Sequence, residues 1–393
     1  MKPARHALRG GPGIRQGGAV LLVLLVLFVA AGAYALTSRL NAAQPQLGRD
    51  RSTAASLALA REALIGRAVS DDNRPGSLPC PDTDDDGIAN TVGGNCTASY
   101  IGRLPWKTLG LPDLRDGSGE RLWYVLSPAF RDNPAAQPIN SDTHSSLTLD
   151  GAGEIAAIVF APGPALAAQA GRPRNNVADY LDGSNADGND AYASGPPAGT
   201  FNDRALPLRR TELMRAVVSR AAAEALKCLH EFAMAHAGRY PWAAGVGASA
   251  AGDYADIAGN RYGRLPEDLA NTAASLAEPA STWPPGCPVG DASSWWTRNA
   301  WRELVFFAIA PEFAPDAPPC PGCPGTLVIR NATTTARVAV IVASESLPGQ
   351  SRTSTAEKSN PSNYLESENA TFTDGILERG MPGPNFNDVV AFE

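Results

Sequence analysis

The run Asp82-Thr83-Asp84-Asp85-Asp86-Gly87 comes nearer to a chemical site than any other stretch of this 393-residue chain. Carboxylates at positions 1, 3 and 5 can converge on one hard cation, and a glycine at position 6 allows the sharp turn of a calcium loop. The twelfth position is Gly93, where a bidentate glutamate would close the shell. Asp82, Asp84 and Asp86 are therefore candidate ligands of a weak calcium site, or of one completed by a distant carboxylate. A solvated Asx-turn loop accounts for the same residues without metal. Asn185, Asp187 and Asp190 form a poorer version and read as a plain turn. No cofactor is required beyond that candidate calcium.

Six cysteines supply the next chemistry. Cys80 and Cys96 bracket the acidic loop, and a disulfide there would stabilise it by about 3 kcal/mol through loop entropy. Cys320-Pro321-Gly322-Cys323 has redox spacing, but no βαβ pattern surrounds it, so it reads as a local structural disulfide. Cys228 and Cys287 are candidates to pair with each other. Zinc held by four cysteines would call for a second C-x-x-C pair, which the chain lacks. Catalysis finds little support. His6, His144, His230 and His236 are the only histidines, and His230 and His236, six apart on a helix, do not share a face. No G-x-S-x-G elbow, H-E-x-x-H pair or phosphate-binding glycine loop is present, and the chain reads as non-enzymatic. Trp283, Trp295, Trp296 and Trp301 cluster late in the chain, either as satellite core or as an exposed surface for a partner subunit or glycan.

The elements that must position these residues begin with an uncharged run from Gly18 to Leu36. At ~1.5 Å rise per residue it covers most of a ~30 Å hydrocarbon core, which predicts a transmembrane helix over 18–36. Lys2, Arg5, Arg9 and Arg15 precede it, so the positive-inside rule makes residues 1–17 a cytoplasmic basic leader and places the body in the periplasm of a bacterial inner-membrane, single-pass protein. Signal cleavage after Ala33-Tyr34-Ala35 is the competing reading. A net charge of −7 without a basic block argues against nucleic acid as a partner. All six cysteines follow the run, as suits an oxidising space.

Behind the run the chain is duplicated. LWYVLSPAF (122–130) matches VFFAIAPEF (305–313) at an offset of 183, and EIAAIVFA (154–161) matches RVAVIVAS (337–344). NNVADYLDGSNA (175–186) matches SNPSNYLESENA (359–370) at 184, and Phe201-Asn202-Asp203 matches Phe386-Asn387-Asp388 at 185. Upstream, Gly102-Arg103-Leu104-Pro105 matches Gly263-Arg264-Leu265-Pro266 at only 161, so the second copy carries an insertion of about 22 residues near 267–294. Each copy opens with helical spacing: Leu57, Ala60, Leu64 and Ala68 in the first, and Met214, Val217, Val218, Ala221, Ala225, Leu229 and Phe232 after a candidate N-cap at Thr211 in the second. LWYVL, EIAAIVFA, LVFFAI, TLVIR and RVAVIVA read as strands, and Asp116-Gly117-Ser118-Gly119 as a turn. The predicted fold is α+β: the N-terminal transmembrane helix, then two tandem modules, 37–210 and 211–393, each an amphipathic helix on a small, mainly antiparallel sheet.

A charged leader ending in glycine, a hydrophobic N-terminal helix and an amphipathic helix leading to a small sheet together resemble type IV pilins and type II secretion pseudopilins. The resemblance covers the architecture of the first copy. It implies that a prepilin peptidase cuts after Gly17 or Gly18 and that the N-terminal helix packs with other pilin subunits. It also raises the standing of a calcium-held loop. The family's glutamate at the fifth mature position is replaced by Leu22 or Val23, and the run holds no carboxylate. That departure resembles a minor or tip-type subunit rather than the abundant one. Pro45 matches the proline that kinks pilin helices. The implied function is a non-enzymatic component of a type IV pilus or type II secretion-like assembly, built into a surface or periplasmic fibre. The alternative is a membrane-anchored or secreted periplasmic binding module that uses the Trp-rich insertion.

Overall fold

Two long helices and two four-strand antiparallel layers build most of the core. The computed structural model describes residues 17–393 except 97, 98, 134–136, 251, 321 and 333, and only the backbone of 17–21 and 35–43. Helix α1 spans Gly17–Ser70 and runs through Pro45. Its second half is amphipathic, and Leu57, Ala60, Leu64 and Ala68, three or four residues apart, are buried. Beyond Ser70 the Asp71 carboxylate accepts the N–H groups of Asn73 and Arg74 and pairs with Arg67 at 2.5 Å, turning the chain toward the first sheet.

That sheet runs β1 (Ile101–Arg103), β2 (Trp123–Leu126), β3 (Ala152–Ala161) and β4 (Arg204–Arg209), antiparallel throughout, with Trp123 opposite Phe160 and Val159 opposite Leu206. Leu147–Leu149 adds a short strand to the start of β3 and pairs in turn with Ala191–Tyr192. Helix α2 (Arg210–Ala235) follows β4 directly. Thr211 lies inside its first turn rather than at the cap. Arg209 holds that place, its N–H donating to the Glu212 carboxylate at 3.3 Å. After α2 come β5 (Tyr262–Arg264), β6 (Val305–Ile309), β7 (Val338–Val342) and β8 (Val389–Phe392), again antiparallel and in the same order. A side layer is built from Leu327–Arg330 and Thr334–Ala336, between β6 and β7, and Ile376–Glu378, between β7 and β8, with Leu327–Arg330 in the middle.

Helix α2 touches β7 and β8 of its own sheet, β3 and β4 of the first, and α1. One apolar core therefore runs from Leu57 through Phe232 to Val390 without a break. A second, smaller cluster around Trp123, Ile158 and Tyr180 lies on the outer face of the first sheet. Glycines stand at matching places where another backbone comes close. A Cβ on Gly102 would sit 2.5 Å from the Asp82 carbonyl oxygen, and one on Gly263 would sit 1.9 Å from that of Ala244.

The start of the chain corrects the sequence reading. Among the described residues no helix is long and apolar enough to cross a membrane. The helix that carries the apolar run continues through Arg49, Asp50 and Arg51 onto the body. The transmembrane helix over 18–36 is withdrawn, and with it the single-pass inner-membrane placement with a cytoplasmic N-terminus and periplasmic body. The basic leader expected over 1–17 lies, but for the backbone of Gly17, outside the described residues.

Candidate functional site

Three places hold features that could act on a partner or ligand: the exposed arm of α1, the acidic loop, and a cleft at the insertion. The arm is the N-terminal half of α1. Every side chain from Leu22 to Val29 is exposed, Phe28 at 77%, although all are apolar. The helix is anchored where it meets the body. Ser56 donates to the Arg115 carbonyl at 2.7 Å, the Gly117 N–H donates to Thr53 at 2.9 Å, and Arg204 pairs with Asp50 at 2.7 Å. The turn at Asp116–Gly119 closes through the Asp116 carboxylate, which accepts the N–H groups of Ser118 and Glu120. The backbone of Gly17 and Gly18 is helical, and these candidate processing residues lie at the tip of the arm.

In the acidic loop, ligand oxygens of Asp82, Asp84 and Asp86 lie within 4.8 Å of one another. Asp82 is buried, while Asp84 and Asp86 are exposed. Both Asp82 oxygens already accept backbone N–H groups, one from Asp84 (3.2 Å) and Asp85 (2.7 Å), the other from Gly87 (2.7 Å). Burial pushes the Asp82 carboxyl up, and the N–H groups of Gly87 and Asp85 oppose that rise. Arg121 binds Asp85 at 2.9 Å and Lys107 donates to the Asp86 carbonyl, so two cations of the protein already flank the loop. The Cys80–Cys96 disulfide closes it from below. The arrangement fits an Asx-turn staple, with Asp84 and Asp86 left over for a cation. Asn185 does not join a second metal cluster: it is fully buried and bonds Ala193 and Asp203.

The insertion forms one wall of a cleft of about 820 Å³ facing α2. Arg220, Glu224 and Lys227 line it from one face of α2, and Trp283, Trp295 and Arg298 line the opposite side. The Cys228–Cys287 disulfide ties the two walls together. The four tryptophans are core. Trp296 and Trp301 are fully buried, Trp283 donates its indole N–H to the Pro266 carbonyl at 3.0 Å, and Trp295 packs edge-on against Trp296 and Trp301. Of the two readings of this cluster, satellite core and exposed surface, burial bears out the core. Cys320 and Cys323 form a local disulfide.

The described histidines are each occupied. His144 meets Glu154 at 2.9 Å and His230 meets Glu393 at 2.9 Å. His236 stacks on Phe232 and meets Glu278 at 3.2 Å.

A pattern that residue spacing alone did not expose runs through both sheets. The Arg103 guanidinium lies 4.4 Å from the Trp123 ring and 3.9 Å from Tyr180, and Arg172 also covers Tyr180 at 4.5 Å. At the matching positions Arg264 lies 3.8 Å from Phe306 and 4.3 Å from Tyr364, and Arg352 covers Tyr364 at 4.6 Å. Arg172 and Arg352 each clamp a loop by donating to consecutive carbonyls, those of Asp179 and Tyr180 in one copy and Asn363 and Tyr364 in the other. The signal was present in the repeated blocks, since Arg103 and Arg264, Trp123 and Phe306, and Tyr180 and Tyr364 all fall at repeat offsets.

No protein-family model, curated protein or solved structure matches the chain.

Proposed function

We propose that the protein is a non-enzymatic structural subunit, of the kind that minor type IV pilins and type II secretion pseudopilins represent, joined to its neighbours through the arm of α1. The observation that supports this reading is that one 54-residue helix carries both a core-facing stretch, from Leu57 to Ala68, and an apolar stretch, from Leu22 to Val29, whose side chains are all exposed. An apolar row of that length is costly in water, and the lateral faces of similar helices cover it best. Processing by a prepilin peptidase would free the arm just before the apolar row. Mass spectrometry of the mature chain tests this. A start at Gly18 or Ala19, with N-methylation, is expected, whereas a chain that keeps Met1 or starts at Leu36 overturns it.

A second reading, a module that binds a ligand at the insertion, is favoured by the cleft beside α2. Its test is a thermal-shift screen against neutral oligosaccharides. At least one should raise Tm in the native chain and lose that effect in Arg298→Ala. A panel that leaves Tm unmoved sinks this reading.

A further inference from the structure

Each sheet is closed by the same buried carboxyl pair. In the first, Asp203 Oδ2 accepts the backbone N–H of Asp182 (2.8 Å) and the side-chain amide of Asn185 (2.9 Å). Asp182 in turn accepts the Asn202 N–H (2.7 Å) and the Gln169 amide (2.7 Å). In the second, Asp388 Oδ2 accepts the Glu366 N–H (2.9 Å) and the Asn369 amide (3.0 Å), while Glu366 accepts the N–H groups of Asn387 and Asp388 (3.1 Å each) and the Gln350 amide (2.9 Å). Asp203 Oδ1 and Asp388 Oδ1 are buried and, among the described residues, have no partner in either copy. Each pair joins a loop, 163–186 or 344–370, to the residues leading into the last strand of its sheet, β4 or β8.

Two carboxylates held together away from water cannot both stay ionised cheaply. The charged groups acting on Asp203 are Asp182 and, in the opposite sense, Arg172, which is itself engaged with loop carbonyls. Arg204, next along the chain, turns away to Asp50. Glu366 is the charged group acting on Asp388. An unpartnered buried oxygen in each copy is where a proton is best placed.

We propose that Asp203 and Asp388 are matched proton-operated latches, each fastening its loop to the closing strand while it holds a proton and loosening it when the proton leaves. Burial, reinforced by Asp182, lifts Asp203 to about 7, and burial with Glu366 beside it lifts Asp388 well above the ordinary carboxyl range. An opened loop returns both carboxyls to water and to their ordinary range. The closed form therefore binds the extra proton: the latch is fully fastened below the ordinary carboxyl range and weakens as pH rises to the closed-state value.

Hydrogen–deuterium exchange of the full chain between pH 4.5 and 8.5, corrected for intrinsic rate, tests this. Protection in 163–186 should fall roughly tenfold per pH unit up to about pH 7 and then level off, and 344–370 should keep falling beyond it. Asp203→Asn should flatten the first profile alone and Asp388→Asn the second alone, because an amide has no proton to lose. If either variant fails to fold, the carboxyl resonances of Asp203 and Asp388 in the native chain, followed by ¹³C NMR, report the two titrations directly. Flat native profiles, unchanged slopes in the Asn variants, or carboxyls titrating near 4 overturn the proposal.

Discussion

Opening the Cys228–Cys287 disulfide is the perturbation with the largest effect that this fold makes calculable. The bridge spans 59 residues, from the buried face of α2 to the insertion. Loop-closure entropy for that span is worth about 4 kcal/mol, against about 3 kcal/mol for the 16-residue Cys80–Cys96 loop and about 1.5 kcal/mol for Cys320–Cys323. The three loops do not overlap, so their effects should add, and together they reach roughly 9 kcal/mol, a sum comparable to the whole stability of an ordinary domain. Urea unfolding followed by circular dichroism on three double Cys→Ala variants measures each loss separately. Cys228→Ala/Cys287→Ala should lose most and Cys320→Ala/Cys323→Ala least, and full reduction should leave the chain mostly unfolded at neutral pH. The reasoning fails if the order is reversed, or if reduction lowers stability by less than the Cys228–Cys287 variant alone.

Arg264, fully buried, donates to the Val246, Glu303 and Lys358 carbonyls while stacked on Phe306 and Tyr364, so Arg264→Lys should cost about 2–4 kcal/mol in urea unfolding: an ammonium cannot reach all three carbonyls from one stack. Asp82→Ala should cost about 2–3 kcal/mol by releasing three N–H groups. Because those bonds hold the loop without metal, chelator should leave Tm unchanged. A rise in Tm with millimolar calcium, lost in Asp84→Asn, would instead show that Asp84 and Asp86 recruit the ion. Gly263→Ala should destabilise by more than about 2 kcal/mol because the new methyl would overlap the Ala244 backbone carbonyl, which no side-chain rotation can clear, and its crystal structure should show β5 displaced.

The helical faces and most core strands were legible because one residue type recurs at one period. Leu57, Ala60, Leu64 and Ala68 point the same way, and VFFAI and VAVIV leave little choice of element. The disulfides followed from which cysteines could be neighbours of one loop or one helix. The membrane span misled because an uncharged run says how apolar a segment is, and nothing about the helix it belongs to. Here that helix continues into the body through Arg49 and Asp50. The tryptophans were ambiguous for a similar reason. Side-chain type does not report which face is covered, and only the fold buries Trp301 edge-on against Trp295.

The buried polar chemistry was missed because its partners lie far apart in sequence, yet the duplication records which of its parts geometry requires. Trp123 gives way to Phe306, Asp179 to Asn363 and Asp182 to Glu366. The positions that change offer an aromatic face, a backbone carbonyl or a carboxyl on a side chain whose length the loop can absorb. Arg103 and Arg264, Tyr180 and Tyr364, Arg172 and Arg352, and Asp203 and Asp388 are the same residue in both copies. Each of these is asked for two things at once: a planar cation that stacks and donates to the backbone, an aromatic ring covered by two guanidiniums, or a carboxyl that ties two segments while keeping one oxygen free. A stack of apolar side chains would bury as much surface, but it would not fix the loop's register against the strand it closes. Being identical in the two copies, these residues fix how a loop seats on its strand and cannot by themselves tell one copy's loop from the other's.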